Sequence, residues 1–176
     1  KNLFIMKKHI LLVFIVLISC TSNTKKVEST ASTTTYFLIR HAEKDRTDST
    51  NKNPNLNSEG LERAQKWANY FENIHLDAVY STTYNRTMQT SKPTAESKKL
   101  AIINYNPRDM YDANFQKNTA GKTVLVVGHS NTTPAFVNKI LGEKKYKDID
   151  DNDNASLFIV TITKDGKTSK VEKVEN

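Results

Sequence analysis

Leu38-Ile39-Arg40-His41-Ala42-Glu43-Lys44 (LIRHAEK, residues 38–44) sets a cation and an imidazole directly behind the apolar run Phe37-Leu38-Ile39. A short apolar run of this kind reads as a buried strand. Burying a polar group without a partner costs about 2–7 kcal/mol. Arg40-His41 therefore lies either in water at the rim of a sheet or in a site that awaits an anion.

Outward from this point the chain alternates strand-like and helix-like runs. Tyr36–Ile39 is the first strand. Asn57 or Ser58 can cap a helix with Glu59 in its first turn, and Leu61, Ala64, Trp67, Ala68 and Phe71 then form one apolar face. Asp77–Ser81 is a second strand, and a helix over 84–100 follows, kinked or divided at Pro93. Ala101–Ile103 is a third strand, and Asp109 begins or caps a short helix through Phe115. Thr123–Val127 (TVLVV) is the clearest strand and ends at Gly128-His129. The helix after it carries Pro134, Phe136, Val137, Ile140 and Leu141 and stops at Gly142. Ser156–Thr163 and Thr168–Val174 flank Lys164-Asp165-Gly166-Lys167, a hairpin signal. The pattern predicts an α/β three-layer sandwich: a mostly parallel central sheet, helices on both faces, and a C-terminal antiparallel hairpin.

In such folds ligands bind beyond the carboxyl ends of the strands. Arg40-His41 follow the first strand, Gly128-His129 follow the fourth, and Arg86 lies near the start of the helix after the second, so all can meet at one rim. Guanidinium forks suit phosphate oxygens, and helices starting near 84 and 132 can add backbone N–H groups. Imidazole is both a nitrogen nucleophile and a good leaving group near neutral pH. These residues point to phosphoryl transfer through a phosphohistidine.

LIRHAEK, LNSEGLERAQKWANYF, VYSTTYNRTMQTSKPTA and VVGHSNTTP, in that order over most of residues 36–163, resemble the histidine phosphatase superfamily with its phosphoglycerate mutase-like fold, and within it the small bacterial phosphatases. The resemblance implies His41 as the nucleophile, His129 as the second histidine that stabilises the transition state, and Arg40 and Arg86 as phosphate ligands. It places Asn131 at a position that contacts substrate in some members. Ala42 stands where the commonest motif has Gly. The proton donor for the leaving group is not fixed by position: Glu43, Asp109 and Asp112 are candidates, the last two 23 and 26 residues beyond Arg86. A phosphoramidate or another easy leaving group would need less help from such an acid.

Other patterns carry less. His75 lies in a polar connection with no partner nearby. Gly128-His129-Ser130 lacks the second glycine of a serine-hydrolase elbow, since Thr132 stands there. Residues 148–154 form an acidic run without the glycine and terminal glutamate of a calcium loop, and read as solvated. No paired-histidine motif supports a metal site, and no cofactor is implied.

The N-terminus reads as a targeting segment. From Met6, read as the start, Lys7 and Lys8 precede nine apolar residues (Ile10–Ile18) and Ser19-Cys20. Nine residues make about 14 Å of helix, short of the ~20 residues needed to cross a bilayer. Residues 1–20 are thus expected to be a signal peptide. Its ending resembles a bacterial lipobox, with Cys20, the only cysteine, as the lipidated residue. Residues 21–35 read as a flexible tether and 36–176 as one domain. This predicts an exported protein, lipid-anchored to a bacterial membrane and facing the periplasm or cell exterior. The formal charge of +7 includes Lys1, Lys7 and Lys8, which leaves +4 on residues 21–176. With no basic stripe, nucleic acid is not an expected partner. The expected substrate is a small phosphorylated molecule or a phosphoprotein. The rival expectations are a phosphotransferase or mutase, and a lipid-anchored phosphate-binding module without turnover.

Overall fold

The computed structural model describes residues 32–174. The expected signal peptide, Cys20 and most of the expected tether lie outside the described residues. The element order is β1 (Thr34–Arg40), α1 (Ser58–Tyr70), β2 (Ala78–Ser81), α2 (Asn85–Lys98), β3 (Ile102–Asn104), α3 (Ala113–Thr119), β4 (Thr123–Gly128), α4 (Thr132–Leu141), β5 (Ser156–Thr163) and β6 (Gly166–Lys173). They build one sheet in the order β3-β2-β4-β1-β5-β6. The four strands from β3 to β1 are parallel, and β5 and β6 add antiparallel pairing. This is the predicted α/β sandwich, with a mostly parallel sheet and a C-terminal antiparallel hairpin.

Side-chain alternation along the strands divides the core into two layers. Phe37, Ile39, Val79, Leu125 and Val127 face α1 and α2 through Trp67, Phe71 and Ala95. Tyr36, Leu38, Tyr80, Val124 and Val126 face α3 and α4 through Phe115, Phe136, Val137 and Ile140. The chain therefore leaves β1 toward one face of the sheet and leaves β4 toward the other. Because β1 and β4 are neighbours, a crevice opens between their carboxyl ends, the topological switch point at which such sheets take ligands.

Local differences from the sequence reading have physical causes. The first strand starts at Thr34, inside the stretch read as tether, because the Thr34 hydroxyl accepts from the Gly121 N–H at 2.7 Å and pairing with β5 extends to Thr34. Leu61 is 55% exposed, so it is not on the apolar face of α1. That face instead begins with Gly60 and Arg63. Gly60 packs so closely on the loop after β1 that a Cβ there would lie 2.1 Å from the Glu43 carbonyl oxygen. Helix α2 runs unbroken through Pro93, with Thr90, Ser91, Thr94 and Ala95 packed inward on either side of it. The cap of α3 is Asp112, whose carboxylate accepts from the Phe115 N–H at 2.7 Å, and not Asp109. Tyr111, with φ of 57°, stops a helix from starting earlier. At the hairpin, Thr163 pairs with Gly166 across Lys164-Asp165, a tighter turn than predicted, and Gly166 takes the φ of +139° that this turn demands.

Candidate active site

Strand pairing brings the two motif histidines together. Arg40 is the register partner of Gly128, and the His41 N–H donates to the Gly128 carbonyl at 2.9 Å. The residue after each strand then faces the crevice, and the imidazole centroids lie 5.6 Å apart at an interplanar angle of 67°. Both Arg40 and His41 are buried, at 2% and 4% exposure. The pair does not sit in water, so the charge of Arg40 must be met from inside the protein.

Each imidazole has a definite proton arrangement. His41 Nδ1 lies 2.7 Å from the Ala42 carbonyl oxygen. A carbonyl only accepts, so Nδ1 carries the proton and Nε2 keeps its lone pair. The Ala42 N–H is held in turn by Thr90 Oγ1 at 2.9 Å. Two threonines fix the tautomer of His129. The Thr87 hydroxyl donates to the backbone carbonyls of Thr82 and Tyr84. The Thr82 hydroxyl therefore donates to Thr87 Oγ1 at 2.8 Å and accepts from His129 Nε2–H at 3.0 Å. His129 Nδ1 is left as an acceptor, 3.4 Å from Arg86 Nη2. Burial, reinforced by Arg40 and Arg86, pushes His41 down to about 3 and His129 down to about 4. Both rings are neutral at pH 7, and His41 Nε2 is available as a nucleophile.

The guanidinium groups supply what the imidazoles lack. Arg40 ends β1 and is gripped by the loop before β5: Nη1 donates to the carbonyls of Asp150 and Asp153 at 2.9 and 3.3 Å, and Nη2 to the Asp151 carboxylate at 2.5 Å. Arg86 lies in the first turn of α2, its guanidinium 4.4 Å from the centre of the Tyr84 ring. Burial lowers the pKa of Arg86, and Tyr84 partly offsets this. Arg40 Nε and Arg86 Nε and Nη1 are buried with no hydrogen-bond partner in the protein. Unmet buried donors on two cations mark a place for an anion.

The hollow they surround has a volume of about 320 Å³. Arg40, His41, Arg86, His129 and Asn131 all line it, so every residue the sequence singled out for phosphate chemistry converges there. Asn131 also caps α4, its side-chain oxygen accepting from the Thr132 N–H at 2.9 Å. The three candidate proton donors lie elsewhere. Glu43 is turned toward α1 and paired with Arg63 at 2.6 Å, while Asp109 and Asp112 line a separate hollow beside β3. The carboxylate that does line the site is Asp151, within the acidic run 148–154 whose composition reads as solvated. Lys44, Tyr84 and Pro107 were also missed. Lys44 was within reach, since it follows the histidine motif directly, but Asp151 lies 111 residues from its partner Arg40 and has no local signal. A larger hollow of about 580 Å³ adjoins the site and shares Lys44 and Asp151 with it, but contains neither histidine. Among the described residues no group of three His, Cys, Asp or Glu side chains is placed to hold a metal ion. His75 is exposed and pairs with Asp77, outside the site.

Comparison with known proteins agrees with this geometry. A family model described as the histidine phosphatase superfamily (branch 1) matches residues 36–107. No curated protein sequence matches the chain significantly. Among solved structures, the protein histidine phosphatase SixA complexed with tungstate superposes with a TM-score of 0.64 at 16% identity, over 79% of this chain and 96% of that one. A phosphoglycerate mutase from Bacillus anthracis gives 0.61 at 15% identity, over 82% and 94%. A mycobacterial glucosyl-3-phosphoglycerate phosphatase gives 0.59 at 10% identity, over 80% and 98%. At these identities the structures speak for the fold, which hosts both hydrolases and mutases. Together with the family match across β1, α1, β2 and α2, they show a chain of the phosphoglycerate mutase-like fold that is similar, over residues 36–107, to the histidine phosphatase superfamily.

Proposed function

We propose that the chain is a phosphatase that works through a phosphohistidine at His41. The carrying observation is the set of three buried, unpartnered guanidinium nitrogens around a histidine whose Nε2 lone pair is free. A phosphoryl dianion meets those donors. His41 Nε2 attacks phosphorus in line, and the leaving atom departs with the electron pair of its bond. Water then attacks phosphorus, the P–N bond breaks, Nε2 recovers its electron pair, and the water's proton passes to phosphate or solvent. The bound dianion also reverses the local field, drawing a proton onto His129 Nδ1, which then donates to the transferring group.

The substrate class follows from the missing acid. None of the three candidate carboxylates lines the hollow, and Asp151, hydrogen-bonded to Arg46 and Arg40, is held below the usual carboxylate range. A site so built favours leaving groups that need little protonation. We infer a phosphoramidate, as on an N-phosphorylated protein side chain, in preference to an alkyl phosphomonoester. The fold likeness to a protein histidine phosphatase supports this reading. The lipid anchor at Cys20 and an exported location belong to the same proposal, tested by metabolic labelling with a fatty acid in wild type and Cys20→Ser.

The test is turnover of p-nitrophenyl phosphate and of a phosphohistidine peptide by residues 21–176. His41→Ala is expected to release no phosphate from either, and the wild type to prefer the peptide. Full turnover by His41→Ala sinks the mechanism. Transfer to a second hydroxyl substrate in place of water would make the protein a mutase or transferase. Tungstate binding without turnover of any substrate would make it a binding module.

A further inference from the structure

The loop between α4 and β5, residues 142–155, lies against the phosphoryl hollow through several fixed points. The Ile149 N–H donates to the Ser130 carbonyl at 2.8 Å, and Asn154 Nδ2 to the His41 carbonyl at 2.7 Å. Asp153 turns inward to accept from Ser156 Oγ at 2.7 Å and from the N–H groups of Ala155 and Ser156 at 3.1 Å. Asp151 alone directs a carboxylate to the hollow. One of its oxygens takes Arg40 Nη2, and the other lies 2.8 Å from Arg46 Nη1.

A count of Arg40 donors shows what this does. A guanidinium has five N–H groups. The carbonyls of Asp150 and Asp153 take both on Nη1, and Asp151 takes one on Nη2. Nε–H and a second Nη2–H are left, and Nε is buried without a partner. Two donors on one planar group form the edge that grips two phosphate oxygens.

The geometry points to Asp151 as a positioning residue that, acting through Arg40 and braced by Arg46, fixes which edge of the Arg40 guanidinium is presented to the phosphoryl group. This inference rests on the phosphatase reading only for its effect on turnover; anion binding tests it independently. The carboxylate has two opposed effects. Its charge repels the incoming anion, an effect that water and salt reduce to about threefold in affinity at this exposed position. Its hydrogen bond holds a charged donor in place, worth about tenfold. Positioning outweighs repulsion.

The two effects separate in a pair of variants read by calorimetric titration with tungstate. Asp151→Asn keeps an oxygen for Arg40 but removes the charge, and is expected to bind tungstate as tightly as wild type or up to about threefold tighter. Asp151→Ala removes both and is expected to bind it several-fold more weakly. Arg46→Ala, which frees Asp151 without touching Arg40, should shift in the direction of Asp151→Ala but less far. In turnover, Asp151→Ala should raise KM in step with the weaker tungstate binding and also lose kcat, and Asp151→Asn should restore both. Tighter binding in both Asp151 variants would show the carboxylate to be a competitor of the substrate and overturn the inference, as would unchanged binding in both. Loss of kcat in both Asp151 variants at undiminished tungstate affinity would make Asp151 a proton donor and overturn it as well. Should wild type bind tungstate but turn over nothing, the phosphatase reading fails while the order of affinities still decides the role of Asp151. Asp151 is exposed, so thermal melts of the variants are expected to match wild type.

Discussion

Acid should unfold this protein through its two site histidines. In the unfolded chain each imidazole titrates near 6.5, whereas in the native state His41 is at about 3 and His129 at about 4. Between those limits the unfolded chain binds more protons than the native one, so stability is full above pH 6.5 and drains away as pH falls. One pH unit in this window costs about 1.4 kcal/mol for each such group. From pH 7 to pH 5 the two histidines together remove about 3–4 kcal/mol, a large part of the 5–15 kcal/mol typical of a domain. Most carboxylates remain ionised through that range and contribute little. Urea unfolding followed by circular dichroism at pH 7, 6 and 5 measures the loss as a falling midpoint at constant slope. His41→Gln should lose about half as much as wild type over the same interval, and the double variant with His129→Gln almost nothing. Saturating tungstate should also flatten the dependence, because a bound dianion favours protonated imidazole. An unchanged midpoint between pH 7 and pH 5 in unliganded wild type, or an equal loss in the double variant, would refute the claim that both rings are buried and neutral.

Other perturbations have equally definite outcomes. Arg86→Ala removes two of the three unmatched donor nitrogens and should lower kcat by about 10²–10³-fold. Because Arg86 also holds the His129 pKa down, the His129 resonance should titrate at higher pH in that variant when followed by NMR. Gly60→Ala forces a Cβ onto the Glu43 backbone and should destabilise the fold by about 3 kcal/mol in denaturant titrations. Trp67→Ala empties the centre of the layer beneath α1, where Trp67 is 1% exposed, and should cost about 3–5 kcal/mol by the same measurement.

The sandwich was legible because its strands are short apolar runs. TVLVV and YFLI are buried on both faces and have no helical period, and the Gly128-His129 and Arg40-His41 endings mark where the chain turns out of the sheet. The site was legible for a related reason: its chemistry sits at strand ends or within five residues beyond them, where topology alone brings it together. Residues that work through distant partners could not be read this way. Glu43 has proton-donor chemistry and position, but Arg63, 20 residues on, turns it aside. Asp112 has the right spacing from Arg86 but is consumed as a helix cap. Leu61 fits the apolar period of α1, yet the close approach at Gly60 rotates the helix so that this leucine is left in solvent.

The pairing of Arg40 with Gly128 also acts as a checkpoint on assembly. A slip of one residue between β1 and β4 would turn Phe37 and Ile39 to the wrong face of the sheet and, in the same movement, carry one imidazole past the other. Misalignment of the reactive pair is thus penalised by the whole hydrophobic interior. The two imidazoles stay locked in step by the same contacts that hold the sheet together.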